Sequence, residues 1–353
     1  MGKIFKVILH LVLFIIIVVI IVLSFSWYNY NRGVKSVDIG LQERIFSGVS
    51  IDNIFSTDTG SIRRTGNTFM SIPEWYIVTL SADYTKWLEE GKNPSDFPYF
   101  HYLSDMWYMY GRITAIMDGK IPRDYEYHTM VQVIGLSTTL EFGSKAIYEL
   151  TLGRITSFFG YNTQEDRYYR DFSRKYVNFI LLRPWYEFPF RELREGFRLR
   201  EYSIRGIERF AIISIELYLK EKYAKLIEDA AHSNFATPDI WTSLEGNFSK
   251  KTISTLGLKA EEMTGGIRIP RYYPFTEIFP DIIENRENRV YSIAGNKYIV
   301  SEFLGAEQDT NAFLSFPLPT EPKIFRSYYF TSIDGLKTNL SNPKSTLIHI
   351  YDF

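Results

Sequence analysis

A nearly unbroken apolar stretch close to the amino terminus, Phe5 to Trp27, constrains this chain more than any other feature. It consists almost entirely of Leu, Ile, Val and Phe, and about 20 such residues suffice to cross a hydrocarbon core ~30 Å thick. Lysines precede the stretch and aromatic residues follow it, as is typical of the two interfaces of a membrane-spanning helix. A buried helix of a soluble domain would normally keep a polar face, which this stretch lacks. The sequence therefore predicts a membrane anchor over residues 1–30, with the span at about 5–27.

We expect this anchor to stay on the mature protein. The apolar region of a cleaved signal peptide is about 7–15 residues long and ends in small residues, whereas this one is longer and ends in SFSWYNYNRG. Lys3 and Lys6 on one side oppose Arg32 and Lys35 on the other, so the positive-inside rule gives only a slight bias. We expect a single-pass signal anchor in the plasma (inner) membrane, with the amino terminus in the cytoplasm and the body outside.

The composition excludes several classes of function. The chain has 353 residues, with 40 basic and 41 acidic side chains and no cysteine. This balanced charge provides no long-range attraction for nucleic acid, and the lack of cysteine excludes thiolate nucleophiles and Cys-ligated metals. The five histidines are scattered singly, and no nucleotide-binding, nucleophile-elbow or zinc-protease motif occurs. The sequence therefore predicts neither a cofactor nor a metal site.

After the anchor, the changing composition predicts an α+β protein in four parts. Residues 31–67 are rich in Gly, Ser, Thr and Asn, as expected for a tether. Residues 68–235 carry helical patterns and predict a mainly helical domain of about five helices. A linker over 236–265 and a sheet domain over 266–353 complete the predicted organisation.

Start and stop signals place the five helices. Ser71 followed by Glu74 has the spacing of a capping box, and Thr163 followed by Asp166 resembles a second one. On the last helix, Glu216 and Lys220 are four residues apart and are expected to pair on its solvent side. The predicted helices begin at Ser71, cover Tyr99 to Met117 and about Tyr125 to Phe159, run from Thr163 to about Arg183, and cover about Leu199 to His232.

Short strand-like runs dominate from Gly266 onward, with two short helical candidates between them. The order of strand, helix, strands, helix and strand is that of a split βαβ fold. The sequence therefore predicts a C-terminal ferredoxin-like α/β sandwich domain with an added hairpin.

Four polar residues are the candidates for chemistry. His128, Glu141 and Arg154 share the third predicted helix, and Glu187 follows the fourth. Burial of a glutamate in an aromatic pocket would raise its pKa and suit it to acid–base work or ligand capture. The plainer interpretation is that these residues are solvated, or that Glu141 pairs with an arginine of a neighbouring helix.

Two Trp-Tyr pairs, Trp75 with Tyr76 and Trp185 with Tyr186, each lie close to a proline and a glutamate. Large rings in such places can anchor a corner of the fold by burying their area. A shared aromatic-lined cleft is a second interpretation, and an aromatic surface lying against the bilayer is a third.

These features lead to three functional hypotheses. The first is a non-enzymatic accessory or binding protein of the cell envelope that contacts membrane lipid or a membrane-protein partner. The second is an enzyme that acts on a membrane-borne or lipid-like substrate by Glu/His acid–base chemistry. The third is a small-molecule sensor that uses the C-terminal domain.

Overall fold

The fold is α+β, with helices in the first two-thirds of the chain and two antiparallel sheets in the last third. The computed structural model describes residues 2–47, 49, 65–121, 125–158, 162–234, 241–258, 260–261 and 265–351. Most of the predicted tether, residues 50–64, and most side chains of residues 1–16 lie outside the described part. Across the described residues, no helix combines the length and the apolar character that a membrane crossing requires.

The helical part consists of nine helices within the described residues, and one prediction of bounds, Tyr99 to Met117, agrees with the structure at both ends. A π-helical turn, Glu149–Gly153, connects α5 to α6, and short 3-10 turns occupy Pro94–Asp96 and Trp185–Glu187. The helices are α1 (Gly2–Val34), α2 (Ile39–Ile45), α3 (Thr65–Glu89), α4 (Tyr99–Met117), α5 (Tyr125–Tyr148), α6 (Arg154–Ser157), α7 (Gln164–Ile180), α8 (Phe190–Gly196) and α9 (Ile204–Asn234).

The two predicted capping boxes have different outcomes. Thr163 caps α7: its hydroxyl accepts from the backbone N–H of Asp166, whose carboxylate accepts from the backbone N–H of Thr163. The box at Ser71 is wrong, because α3 begins at Thr65 and the Ser71 hydroxyl donates to the carbonyl of Thr68 at 2.6 Å. Glu74 instead accepts a hydrogen bond from the Tyr127 hydroxyl. Ser71 and Glu74 have the spacing of a capping box, but they lie inside the helix, six or more residues after its first residue.

The C-terminal part has two four-stranded sheets where the sequence predicted a single one. The first has the order β2-β3-β1-β4 and the second the order β6-β7-β5-β8, and all neighbouring strands are antiparallel. The strands are β1 (Trp241–Asn247), β2 (Ala260–Glu261), β3 (Gly266–Pro270), β4 (Arg289–Ile293), β5 (Tyr298–Gly305), β6 (Leu314–Pro317), β7 (Phe325–Ser332) and β8 (Ser345–Ile350), and the helices among them are α10 (Lys250–Thr255), α11 (Tyr273–Glu284) and α12 (Ile333–Leu340).

The central strand of the first sheet, β1, falls in the segment that the sequence assigned to the linker. Its inward residues are Thr242, Leu244 and Gly246, of which only one is a large apolar side chain. Alternation of apolar and polar residues is the signal by which a half-buried strand is recognised. Because two small or polar residues take the buried positions, that signal is absent.

Helix α3 joins the helical part to the second sheet. It packs against α4, α5 and α7 on the helical side and contacts β5 on the other. Phe69 of α3 lies 4.8 Å from Phe330 of β7, between ring centroids, and Trp75 stacks on His349 of β8 at 3.8 Å. The two parts therefore share one continuous core.

Helices α1 and α4 run side by side in the same direction at very short range. The hydroxyl of Ser104 donates to the side chain of Asn29 at 2.8 Å. A Cβ atom built on Gly111 would lie 2.0 Å from the carbonyl oxygen of Tyr30, and one on Gly33 would lie 1.9 Å from a carbonyl of α4. Glycine is required at both positions because the two backbones touch there.

Candidate functional site

A cavity of about 720 Å³ lies between α3, α5, α7 and α9 in the helical part. It is lined mainly by aromatic and aliphatic side chains, with ionisable groups among them. The ionisable residues of the lining, apart from tyrosines, are Glu141, Lys145, Glu149, Arg209, Glu216 and Lys220.

Buried ion pairs between α5 and α9 line the inner part of the cavity. Lys145 of α5 lies 3.2 Å from the carboxylate of Glu216, which also accepts a hydrogen bond from Tyr169 of α7 at 3.1 Å. Lys220 lies 2.8 Å from the carboxylate of Glu141. We call these five residues the charged floor. Helices α5, α7 and α9 each contribute one residue to its hydrogen-bonded part, which joins Lys145, Tyr169 and Glu216.

The opposite charges of the floor keep one another ionised, although burial by itself disfavours a charge. Burial alone would raise the pKa of Glu216, but the ammonium groups of Lys145 and Lys220 outweigh it and hold that pKa below its usual value. Burial likewise opposes the charge of Lys145, yet the Glu216 carboxylate keeps the lysine pKa above its ordinary range. The pKa of Lys220 is also raised, with burial opposing and Glu141 prevailing. These lysines and Glu216 are therefore ionised near neutral pH.

A third ion pair, between Arg209 and Glu149, closes the end of the cavity next to the π-helical turn. Arg209 lies 2.9 Å from Glu149 and 2.9 Å from Asp166, the partner of Thr163 in the capping box of α7. Glu149 is the first residue of that turn and is almost fully buried. Single π-helical turns often occur at functional sites, because the extra residue redirects the side chains beside it. Here the turn carries the carboxylate that neutralises Arg209.

The outer part of the cavity is apolar and faces outward between α5 and α9. Leu140 of α5 and Ile215 and Leu219 of α9 line it, and each is exposed over 40% or more of its surface. Exposed aliphatic residues therefore lead directly to a buried charged floor. A cavity with this gradient suits a molecule that has a polar end and an apolar end.

The two Trp-Tyr pairs have different environments. Trp185 lines the cavity and stacks on Tyr223 at 5.2 Å, and its neighbour Tyr186 is half-buried. Trp75 stacks on His349 where α3 meets the second sheet, and Tyr76 is buried. Of these four residues, only Trp185 is part of the cavity lining.

Of the four acid–base candidates, Glu141 alone lines the cavity. Arg154 pairs with Asp96 in an exposed ion pair, and Glu187 lies 3.7 Å from Arg183 in another. His128 is buried on α5 beside Tyr110, with 3.3 Å between the ring nitrogen and the hydroxyl. Glu141 pairs with a lysine of α9, where the sequence suggested an arginine as one alternative.

Sequence reasoning missed the charged floor because it placed Glu216 and Lys220 on the solvent side of their helix. That placement is wrong: their side chains are only 12% and 11% exposed and face the cavity. The helix exposes apolar residues such as Leu219 and buries others such as Leu217, so it lacks the separate polar and apolar faces of an ordinary amphipathic helix. The available signal was charged residues at helical spacing on two helices, Glu141 and Lys145 on α5 matching the pair on α9.

The fold and the cavity together define an α+β protein whose helical part encloses an amphipathic cavity. No protein-family model, curated protein sequence or solved structure matches this chain. Among the residues that the structure describes, no group of three or more His, Asp or Glu side chains could hold a metal ion.

Proposed function

We propose that this protein is a membrane-anchored, non-enzymatic binding protein of the cell envelope that holds an amphipathic lipid or lipid-like molecule in the cavity between α5 and α9. The observation that carries the proposal is the combination of a charged floor and an apolar outer part in one cavity of about 720 Å³. The polar head of the ligand lies against Lys145, Glu216 and Lys220, and its apolar part leaves past Leu140 and Leu219.

The size and charge of the cavity support this assignment. Its volume falls within the range of about 300–1,000 Å³ that small-molecule sites occupy. The lining pairs three cations with three carboxylates, so it attracts neither a strongly acidic nor a strongly basic ligand. Such a floor offers both donors and acceptors, which suits a zwitterionic or hydroxyl-bearing head group.

The membrane location rests on the apolar amino-terminal sequence. We place the span at about residues 5–27 in the plasma (inner) membrane, with the amino terminus in the cytoplasm and the body outside. Membrane lipid is then the partner nearest to the cavity, and a membrane-protein partner that exchanges lipid with it is compatible with the same geometry.

The two sheets provide the finer fold assignment. We propose that each is a ferredoxin-like unit, because both strand orders follow the pattern fourth, first, third, second. In the first unit, α10 and α11 occupy the two helical connections of that fold. In the second unit, α12 occupies one, and the β5–β6 connection over residues 306–313 replaces the other.

A lipid-extraction experiment tests the binding proposal. Full-length protein is purified in a mild detergent, and its bound lipids are extracted and compared by mass spectrometry with the total lipids of the source membrane. We expect a lipid class enriched in wild type and depleted in Leu219→Trp, which fills the cavity entrance. Leu226→Trp is the matched control, since Leu226 lies two turns along the same helix, is similarly exposed (64% against 59%) and does not line the cavity.

Two outcomes would contradict the proposal. Lipids that mirror the bulk membrane and are equal in all three proteins would show that the cavity holds none of them. A bound lipid whose mass changes when the purified protein is incubated would indicate an enzyme, the second hypothesis from the sequence.

A further inference from the structure

The direction of the helices fixes which end of the helical part lies beside the apolar half of α1. Phe25 of α1 faces Phe100 at the start of α4, and Gly33 lies beside Tyr108. The two helices therefore run in the same direction, and Phe25 is level with the first turn of α4. The residues of α1 that precede Phe25 therefore extend past the amino-terminal end of α4.

Helix α5 runs antiparallel to α4, and its continuation through the π-helical turn extends past the amino-terminal end of α4. Thr139 of α5 accepts a hydrogen bond from Trp107 of α4 at 2.8 Å, while His128 lies beside Tyr110 one turn further along α4. From Thr139 to Phe158 the chain rises roughly 28 Å at 1.5 Å per residue, whereas α4 has only about 12 Å left before its first residue. The π-helical turn and α6 thus project roughly 16 Å beyond the amino-terminal end of α4, at the same level as the apolar part of α1.

This projecting end exposes several large apolar side chains. The first turns of α9 belong to it, because Arg205 donates to the carbonyl of Gly153 at 3.1 Å. Phe158 is 84% exposed and Ile204 is 61% exposed. We call this set the apolar end; it consists of Leu150, Leu152, Ile155, Phe158, Ile204 and Ile207, all of them exposed.

We propose that the apolar end is seated in the same bilayer as α1, so that the mouth of the cavity at Leu140 and Leu219 lies at the membrane surface and the cavity takes its ligand from the adjacent leaflet. This inference rests on the proposed function and adds the route by which the ligand enters. An apolar end this large would be costly to keep in water, and it marks an interaction surface.

The occupant is a bilayer because the surface continues one that the sequence assigns to lipid. Leu13, Ile17 and Leu23 of α1 are themselves exposed at the level where the apolar end projects. Arg167 and Arg200 lie exposed beside the α7 cap at the rim of the same end. Both can donate charge-assisted hydrogen bonds to lipid phosphates where the apolar end borders the head groups.

The absence of cysteine from the chain makes a direct test possible. Single substitutions Phe158→Cys and Ile204→Cys are labelled with an environment-sensitive fluorophore, and the full-length protein is reconstituted in phosphatidylcholine vesicles. Val133→Cys on α5 and Leu226→Cys on α9 are the controls, since both side chains are exposed and apolar but lie at the opposite end of the same helices. Ile17→Cys reports on the anchor itself.

We expect nitroxide-labelled lipids to quench the labels at 158, 204 and 17 severalfold more than those at 133 and 226, and aqueous iodide to give the reverse order. Equal iodide quenching at 158, 204, 133 and 226 would overturn the inference, and so would protection at 158 and 204 from both quenchers, which would indicate a protein contact. If the label at 17 also stays in water, the anchor is absent and the inference fails with it.

The two proposals can fail separately. Bound lipid that is lost in Leu219→Trp, together with labels at 158 and 204 in water, would leave the cavity assignment standing and remove only the bilayer seating. Labels in the bilayer with no enriched lipid in the purified protein would do the opposite.

Discussion

At the scale of single residues, Lys145, Glu216 and Tyr169 show how a charge is kept in a mostly apolar helical core. The two ionised groups are 3.2 Å apart and about one-tenth exposed, and the tyrosine hydroxyl adds a hydrogen bond. Bringing such groups out of water is costly, so the arrangement is stable only while each has its partner. A ligand head group that approached this floor would meet fixed, oppositely charged groups in a low dielectric, where each contact is strong.

Removing one member of this pair should therefore cost more than removing both. We expect Lys145→Met to lower the free energy of unfolding by about 3–5 kcal/mol, because it leaves the Glu216 carboxylate buried without its nearest cation. The double variant Lys145→Met/Glu216→Leu should recover most of that loss. Urea unfolding of the full-length protein in mild detergent, followed by far-UV circular dichroism, measures both. A double variant no more stable than the single one would contradict the pairing.

Acid should weaken the same site in a predictable direction. The pKa of Glu216 is lowered in the folded state, so its stabilising contribution is present above the ordinary glutamate pKa of about 4.3 and is lost as the pH falls through the lowered value. We expect the free energy of unfolding of wild type to fall in that window with a steeper slope than that of Glu216→Gln. Glu187→Gln, at an exposed carboxylate, should keep the wild-type slope.

At the scale of elements, the close packing of α1 on α4 decides how the amino-terminal helix is held to the helical part. Backbone contact at Gly33 and Gly111 leaves no room for any side chain at either position. Gly143 of α5 is the opposite case, because a Cβ there would meet no atom within 4 Å. The two helices therefore lie backbone against backbone at these positions.

This contrast between glycines gives a matched pair of substitutions. We expect Gly111→Ala to destabilise the protein by about 1–3 kcal/mol, because the new methyl group forces the two backbones apart. Gly143→Ala should instead be neutral or stabilising by up to about 1 kcal/mol, because alanine is the better helix former and has room there. The measurement is again the free energy of unfolding. Equal effects at the two positions would mean that α1 does not pack on α4.

At the scale of the whole molecule, a buried arginine couples the second sheet to the helical part. Arg326 of β7 pairs with Glu302 of β5, donates to the hydroxyl of Thr79 at 3.2 Å and lies 3.8 Å from Asp83 of α3. Burial raises the pKa of Asp83 while Arg326 opposes that rise. Because α3 also lines the cavity through Tyr84, this network ties the cavity wall to the second sheet.

Removing Arg326 from this network should destabilise the second sheet and the helical part together. We expect Arg326→Met to lower the free energy of unfolding by about 3–5 kcal/mol, because it leaves Glu302 buried without a cation. Lys337→Met is the control: it removes an exposed pair with Asp334, 3.8 Å long, and should cost no more than about 1 kcal/mol. Near-equal losses for the two variants would show that Arg326 does not hold the sheet to α3.

Much of the local structure was determined by the sequence alone. The α+β class, the bounds of α4 and the cap formed by Thr163 and Asp166 follow from signals that act within a turn or two of the chain. These signals need no knowledge of what the segment packs against. The apolar stretch at Phe5 to Trp27 likewise predicts an anchor on its own, and that prediction is still to be tested.

Only the tertiary structure decided the cavity, the depth of its charges and the division into two sheets. Lys145 and Glu216 are 71 residues apart. The local sequence around either residue does not indicate that folding brings it next to the opposite charge. Periodicity therefore assigned Glu216 and Lys220 to water, and it could not identify β1, whose buried positions include Thr242 and Gly246. The physical reason is the same in each case: whether a polar residue can be buried depends on a partner that folding brings from elsewhere in the chain.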